Sequence, residues 1–162
     1  MEVRDIKGVR RAIIVICLLI LAIGGFYSIP KGKYFDDSIE ELINNKKAEV
    51  IEVHKKMKID EDSFIVKRII NAEDSTYIRY SLIRLEGGWS FPGTSIEVTD
   101  NNGKEYFNHG ESSSGKLWGQ EGLIRIDKID EGAKYIIVKF NCYDRKSEVK
   151  ISLLEDGETD EN

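Results

Sequence analysis

Cysteine is almost missing: the 162 residues contain two, Cys17 and Cys142. Cys17 lies inside an uncharged apolar run, so the rest of the chain owns one thiol and cannot close a disulfide on itself. A small exported domain without a disulfide depends on its hydrophobic core, which suits a bacterial surface better than a eukaryotic secretory route. No N-x-[ST] acceptor occurs either. Histidine is equally scarce, and neither His54 nor His109 has a His or Cys partner at the spacing a zinc site needs, so both read as surface residues. Concentrated positive charge is absent too. The net charge is −5, and the last eight residues hold Glu155, Asp156, Glu158, Asp160 and Glu161, which leaves the middle of the chain near neutral. Nucleic acid, which requires a basic face, is excluded as a partner.

Against these absences stands one long apolar run, Ala12 to Ile29, with no charged residue. Eighteen helical residues rise roughly 27 Å, about the lower limit for a hydrocarbon core of ~30 Å. Arg4, Lys7, Arg10 and Arg11 precede it, and the chain turns acidic soon after Lys33. This bias predicts a single-pass transmembrane helix over 12–29 in contact with membrane lipid, a cytoplasmic head over 1–11 and an extracytoplasmic remainder. The rival reading is a cleaved secretory signal with Ala22-Ile23-Gly24 as its small-residue site, which would release a secreted surface-binding protein. Acylation at Cys17 fits poorly, because Ile14-Val15-Ile16 precede it and apolar residues continue beyond it.

After the run, residues 30–47 read as a connector. Ser38 and Glu41 have capping-box spacing, and Ile39, Leu42 and Ile43 share one helical face, so a short helix to about Asn45 is expected. Residues 46–58 fit both periods, and the β-branched Val50-Ile51-Glu52-Val53 favours a strand. From Ser63 the pattern is strand after strand: 64–70, 77–85 with Ile78, Tyr80 and Leu82 on one face, a short strand around Ile96 and Val98, 123–126, 135–143 and 149–153. Asp100-Asn101-Asn102-Gly103 reads as a hairpin turn, closed by Tyr106 and Phe107. Glu86–Gly93 and Asn108–Gly122 read as loops from their Gly, Pro and Ser content. Short alternating strands at this spacing predict an antiparallel β-sandwich over 48–154, with an acidic disordered tail over 155–162.

No catalytic set emerges. Cys142 sits on the apolar face of its strand and reads as a core thiol. Asp60-Glu61-Asp62 and the Asp127/Asp130 pair lack the ligand spacing of a calcium loop, and Ser112–Ser114 have no G-x-S-x-G frame. No cofactor or metal is expected. Trp89, Phe91 and Trp118 stand out because all three fall in Gly-rich loops. There they serve either as ligand or partner contacts or as caps folded back on the core.

The run Ile96–Tyr106, with Asp100, Gly103 and Tyr106 as a D-x-x-G-x-x-Y hairpin, resembles the immunoglobulin-like ectodomains of uncharacterised anti-sigma-factor-like membrane proteins of Gram-positive bacteria. Leu123–Lys128 and Ala133–Val138 are similar to the closing strands of those domains. The resemblance covers residues 48–154 and implies an immunoglobulin-like fold with an extracytoplasmic address. Those proteins carry a cytosolic regulatory domain before the membrane helix, whereas eleven residues stand there in this sequence, so sigma-factor binding is not implied. The expected function is a membrane-anchored, non-catalytic binding or sensing module whose partner is a membrane protein or cell-wall material. A secreted binding protein and a cell-envelope enzyme are the alternatives.

Overall fold

The computed structural model describes residues 3–27, 37–85, 89–116 and 118–153. The chain divides into two units, Met1–Tyr34 and Phe35–Asn162. The first holds one helix, α1 (Val3–Tyr27). It passes residue 12 without a break, so the described parts of the basic head and of the apolar run are one continuous helix. Its described side chains are those of residues 8–21. Between Ile13 and Leu21 the large apolar side chains are each 50–71% exposed, on every side of the helix. Among the described residues no helix is long and apolar enough to cross a membrane. The expected span 12–29 extends beyond those residues at 28 and 29, as do the acidic tail and part of the connector.

The second unit opens with α2 (Asp37–Asn44), whose Ile39 is buried. It continues through β1 (Ala48–Ile59), β2 (Asp62–Ala72), β3 (Ser75–Ile83), β4 (Ile96–Asp100), β5 (Glu105–Tyr106), β6 (Asn108–Lys116), β7 (Gly119–Asp127), β8 (Tyr135–Cys142) and β9 (Arg145–Ser152). Five strands form one antiparallel sheet in the order β1-β2-β3-β7-β6, and four form a second in the order β5-β4-β8-β9. A mainly β, two-sheet sandwich is therefore correct. The ambiguous 46–58 segment is strand, its Ala48–Ile59 pairing with β2.

Alternation sets which face is buried. Ile78, Tyr80 and Leu82 of β3 are fully buried, and Ile96, Val98, Ile136, Val138 and Phe140 of the second sheet join the same core. Each such side chain contributes about 1.5–3 kcal/mol by leaving water. Aromatic rings tie the sheets together: Phe64 stacks on Tyr80 at 4.9 Å, Phe91 lies 5.3 Å from Phe64, and Phe140 lies 5.3 Å from Phe91.

Two readings of the sequence need correction. Asn108–Gly122 is not a loop but a hairpin of β6 and the start of β7, with Lys116 paired to Gly119. An edge strand facing solvent needs few apolar residues, so Gly and Ser hid it. Phe107 does not close the 100–106 hairpin; it is 68% exposed at the crossing between the sheets. The hairpin is held by Asp100, which accepts hydrogen bonds from Asn102 N (2.8 Å), Lys104 N (3.0 Å) and Tyr106 OH (3.0 Å). Burial pushes the Asp100 carboxyl up, but these donors prevail and hold it below the ordinary range.

Edge strand β6 is latched across to the second sheet. Glu111 accepts from Gly93 N (2.8 Å), Tyr80 OH and Gln120 Nε2 (3.0 Å), and Asn108 Nδ2 donates to Gly93 O (2.9 Å) and Ile96 O (3.0 Å). Ala48, where the chain comes in from α2, lies beside Ala72, and Leu153 N bonds Lys134 O, so chain start and chain exit share one end of the sandwich.

Candidate functional site

The opposite end is built from the turn after β1, Arg84 and Leu85, the segment from Trp89 to Ser95 and the β8–β9 turn. Its foundation is Asp62, a fully buried carboxylate at the start of β2. Asp62 accepts from Leu85 N (2.6 Å) on one oxygen and from Trp89 Nε1 (2.9 Å) on the other. A buried carboxylate is tolerable only with such partners. Here they fix both the exit of β3 and the indole that follows.

Trp89 is held from several sides. The Arg145 guanidinium lies 4.6 Å from the indole centroid and also pairs with Asp60 at 3.2 Å. Arg84 donates to Trp89 O. The ring edge meets Phe91 at 6.2 Å and Phe140 at 6.1 Å, so Trp89 is half core cap and half wall.

That wall borders a groove of about 640 Å³, lined also by Ser90, Ser95, Asn141, Tyr143 and Arg145. Tyr143 is 96% exposed and takes φ +55°, a left-handed turn conformation that throws its ring out of the sheet. The lining is aromatic, hydroxyl and amide, with one cation already paired to Asp60. Such a surface packs against flat apolar faces and hydrogen-bonds neutral polar groups.

Of the three candidate contacts named from sequence, the groove contains one. Trp89 lines it; Phe91 is buried beneath it at 5% exposure; Trp118, 57% exposed, sits on the separate β6–β7 turn, where its carbonyl accepts from Arg84 N at 2.7 Å. Phe91 looked like a loop aromatic because Pro92 and Gly93 follow it, but the loop folds back and drives the ring into the core. Sequence reasoning missed Tyr143, Arg145 and Asn141. Tyr143-Asp144 is not one of the Gly-containing pairs that announce a two-residue hairpin, so nothing in the sequence set Tyr143 apart from the apolar strand before it. Cys142 also lines the groove and is partly buried.

No protein-family model, curated protein or solved structure matches this chain. The remaining polar constellations are local ones. Asp127 accepts from Phe107 N (3.0 Å) and pairs with His109 Nε2 (2.7 Å), and these hold its carboxyl below the ordinary range. On the outer face of the five-stranded sheet, Glu121 pairs with Lys67 at 2.8 Å and with Arg79 at 4.0 Å. Burial pushes the Glu121 carboxyl up, and those cations more than reverse it. A second concavity of about 590 Å³ lies at the end shared by chain start and exit, between Ile43, Lys46, Ile129 and Leu153. Its walls mix lysines with acidic side chains.

Proposed function

We propose that this protein is a membrane-anchored, extracytoplasmic binding or sensing module without catalytic activity, and that the Trp89–Tyr143 groove takes its partner. The observation that carries the reading is the groove itself: an exposed tyrosine and a rigidly braced indole at the end of the sandwich farthest from where the chain comes in. Neutral glycan of the cell wall, or the polar surface of a membrane protein, is the chemistry this lining fits. The carboxylates of the domain support a non-catalytic reading because Asp62, Asp100, Asp127 and Glu111 each accept backbone N–H groups and hold turns or strands.

Anchoring through residues 12–29 draws support from α1, where apolar side chains stand exposed all around. A helix of that kind is at home only in lipid or inside a large protein. An immunoglobulin-like topology draws support from strand order. Leaving β1 aside, β2-β3-β7-β6 opposite β9-β8-β4-β5 follows the A-B-E-D and G-F-C-C′ arrangement, with β3–β7 and β4–β8 as the two central pairs.

Two substitutions test the groove. Trp89→Ala should destabilise the domain by about 3 kcal/mol, since it removes a core cap. Tyr143→Ala should leave the unfolding midpoint within about 0.5 kcal/mol of wild type yet abolish retention on cell-wall material or on a membrane partner. Retention unchanged in Tyr143→Ala would remove the groove from the binding site.

A further inference from the structure

Strand edges invite pairing with other chains, and natural sheets blunt them with charges, bulges, shortness or cover. Three of the four sheet edges here show such devices. β5 has two residues. β1 carries a bulge, with His54 at φ +52°, and bears Glu49 and Glu52 followed by Lys55, Lys56 and Lys58. β9 bears Lys146, Glu148 and Lys150 among its exposed positions.

β6 differs. Its bulge is confined to the start, between Asn108 and Gly110; from Gly110 to Lys116 its pairing with β7 is regular, and Ser112, Ser113, Ser114 and Gly115 are all exposed. Its one carboxylate, Glu111, is turned inward to Tyr80 and Gly93 and does not guard the edge. The two-residue link between Lys116 and Gly119 makes that pair the closing hydrogen-bonded one. Bonded pairs alternate in an antiparallel ladder, so Lys116, Ser114 and Ser112 turn their backbone to β7. A Cβ built on Gly122 would stand 2.7 Å from Ser112 O, which places that carbonyl on the β7 side. Glu111, Ser113 and Gly115 therefore present N–H and C=O to the open edge.

From this geometry we infer that β6 is a self-pairing edge that joins two copies of this chain in an antiparallel, two-fold arrangement centred on Ser113. That register puts Ser113 opposite Ser113 of the second copy and Glu111 opposite Gly115, so all three outward-facing positions meet outward-facing partners. It also sets Gly110 opposite Lys116, so Glu111 and Lys116 each oppose a glycine. Phe107 stands six residues before the axis and Trp118 five after it. Both are exposed, at 68% and 57%, and the two-fold brings Phe107 of each copy beside the Trp118 turn of the other. The occupant is a second copy because strand, glycines and flanking aromatics are complementary about one point. A single strand pair buries little area, so association is weak and concentration-dependent.

The test is sedimentation of the full chain, purified with detergent present, from low-micromolar to near-millimolar concentration. The wild type should shift from monomer to dimer across that range. Gly115→Pro removes an outward N–H of the same edge at a position where an added Cβ meets nothing within 4 Å, and proline is tolerated on an edge; it should keep the wild-type unfolding midpoint and stay monomeric. Phe107→Glu, at an exposed site outside the ladder, is the second variant and should weaken association at least tenfold. A wild type that stays monomeric throughout, or variants that dimerise as the wild type does, would overturn the inference.

Discussion

Asp62 and Glu111 do comparable work at different places: each is one carboxylate that fastens a segment to the core. Asp62→Ala would leave Leu85 N–H and the Trp89 indole N–H facing an emptied acceptor site. Unpaired buried donors cost about 1–3 kcal/mol, and urea unfolding of Asp62→Ala should show a loss of that size with the groove rim loosened. Glu111 has a pH signature. Burial pushes its carboxyl above the ordinary range, and hydrogen bonds from Gly93 N–H, Ser113 and Gln120 offset only part of this. The folded state thus holds a proton that the unfolded state has released, so the stabilisation is present at low pH and lost as pH rises through the raised folded value. Glu111→Gln cannot titrate. The wild type's stability relative to Glu111→Gln should therefore decline between pH about 4, the ordinary carboxylate value, and a pH above the raised folded value. Urea midpoints at the two pH values measure it, and a difference that grows with pH would contradict the burial argument.

At the scale of elements, the β6–β7 hairpin is the least forgiving. Gly119 takes φ +151°, and a Cβ there would stand 1.9 Å from Leu82 O. Gly119→Ala must therefore shift backbone on β3 or β7, and a loss of about 1–3 kcal/mol or more is expected from strain of this kind, readable as a lowered unfolding midpoint. Elements were legible where one face is buried and the other wet. Ile78, Tyr80 and Leu82, or Ile136, Val138 and Phe140, announce their strands by period two alone. The sequence 108–116 carries no such period because β6 lies at an edge and meets the core through Glu111 and Asn108, two polar latches. Local composition left Phe91 open between partner contact and core cap, since a Gly- and Pro-rich loop says nothing about which way it folds. Trp89 was recognised as notable, but the braces that define its role, Asp62, Arg84 and Arg145, are brought together only by the fold. Tyr143 was hidden at the end of an apolar strand.

For the molecule as a whole, the two units have different surfaces. α1 shows apolar side chains to its surroundings from Ile13 to Leu21, while the sandwich keeps its large apolar residues inside apart from Leu85, Phe107, Trp118 and Tyr143 among the described residues. The proposed lipid anchor carrying a water-exposed binding domain would account for both. The most direct measurement is protease treatment of intact spheroplasts expressing the full chain, followed by mass analysis of what remains with the membrane. The account predicts that the sandwich is removed from outside while a membrane-bound fragment containing residues 12–29 survives. A chain found in the soluble fraction, or a sandwich digested only after lysis, would contradict it.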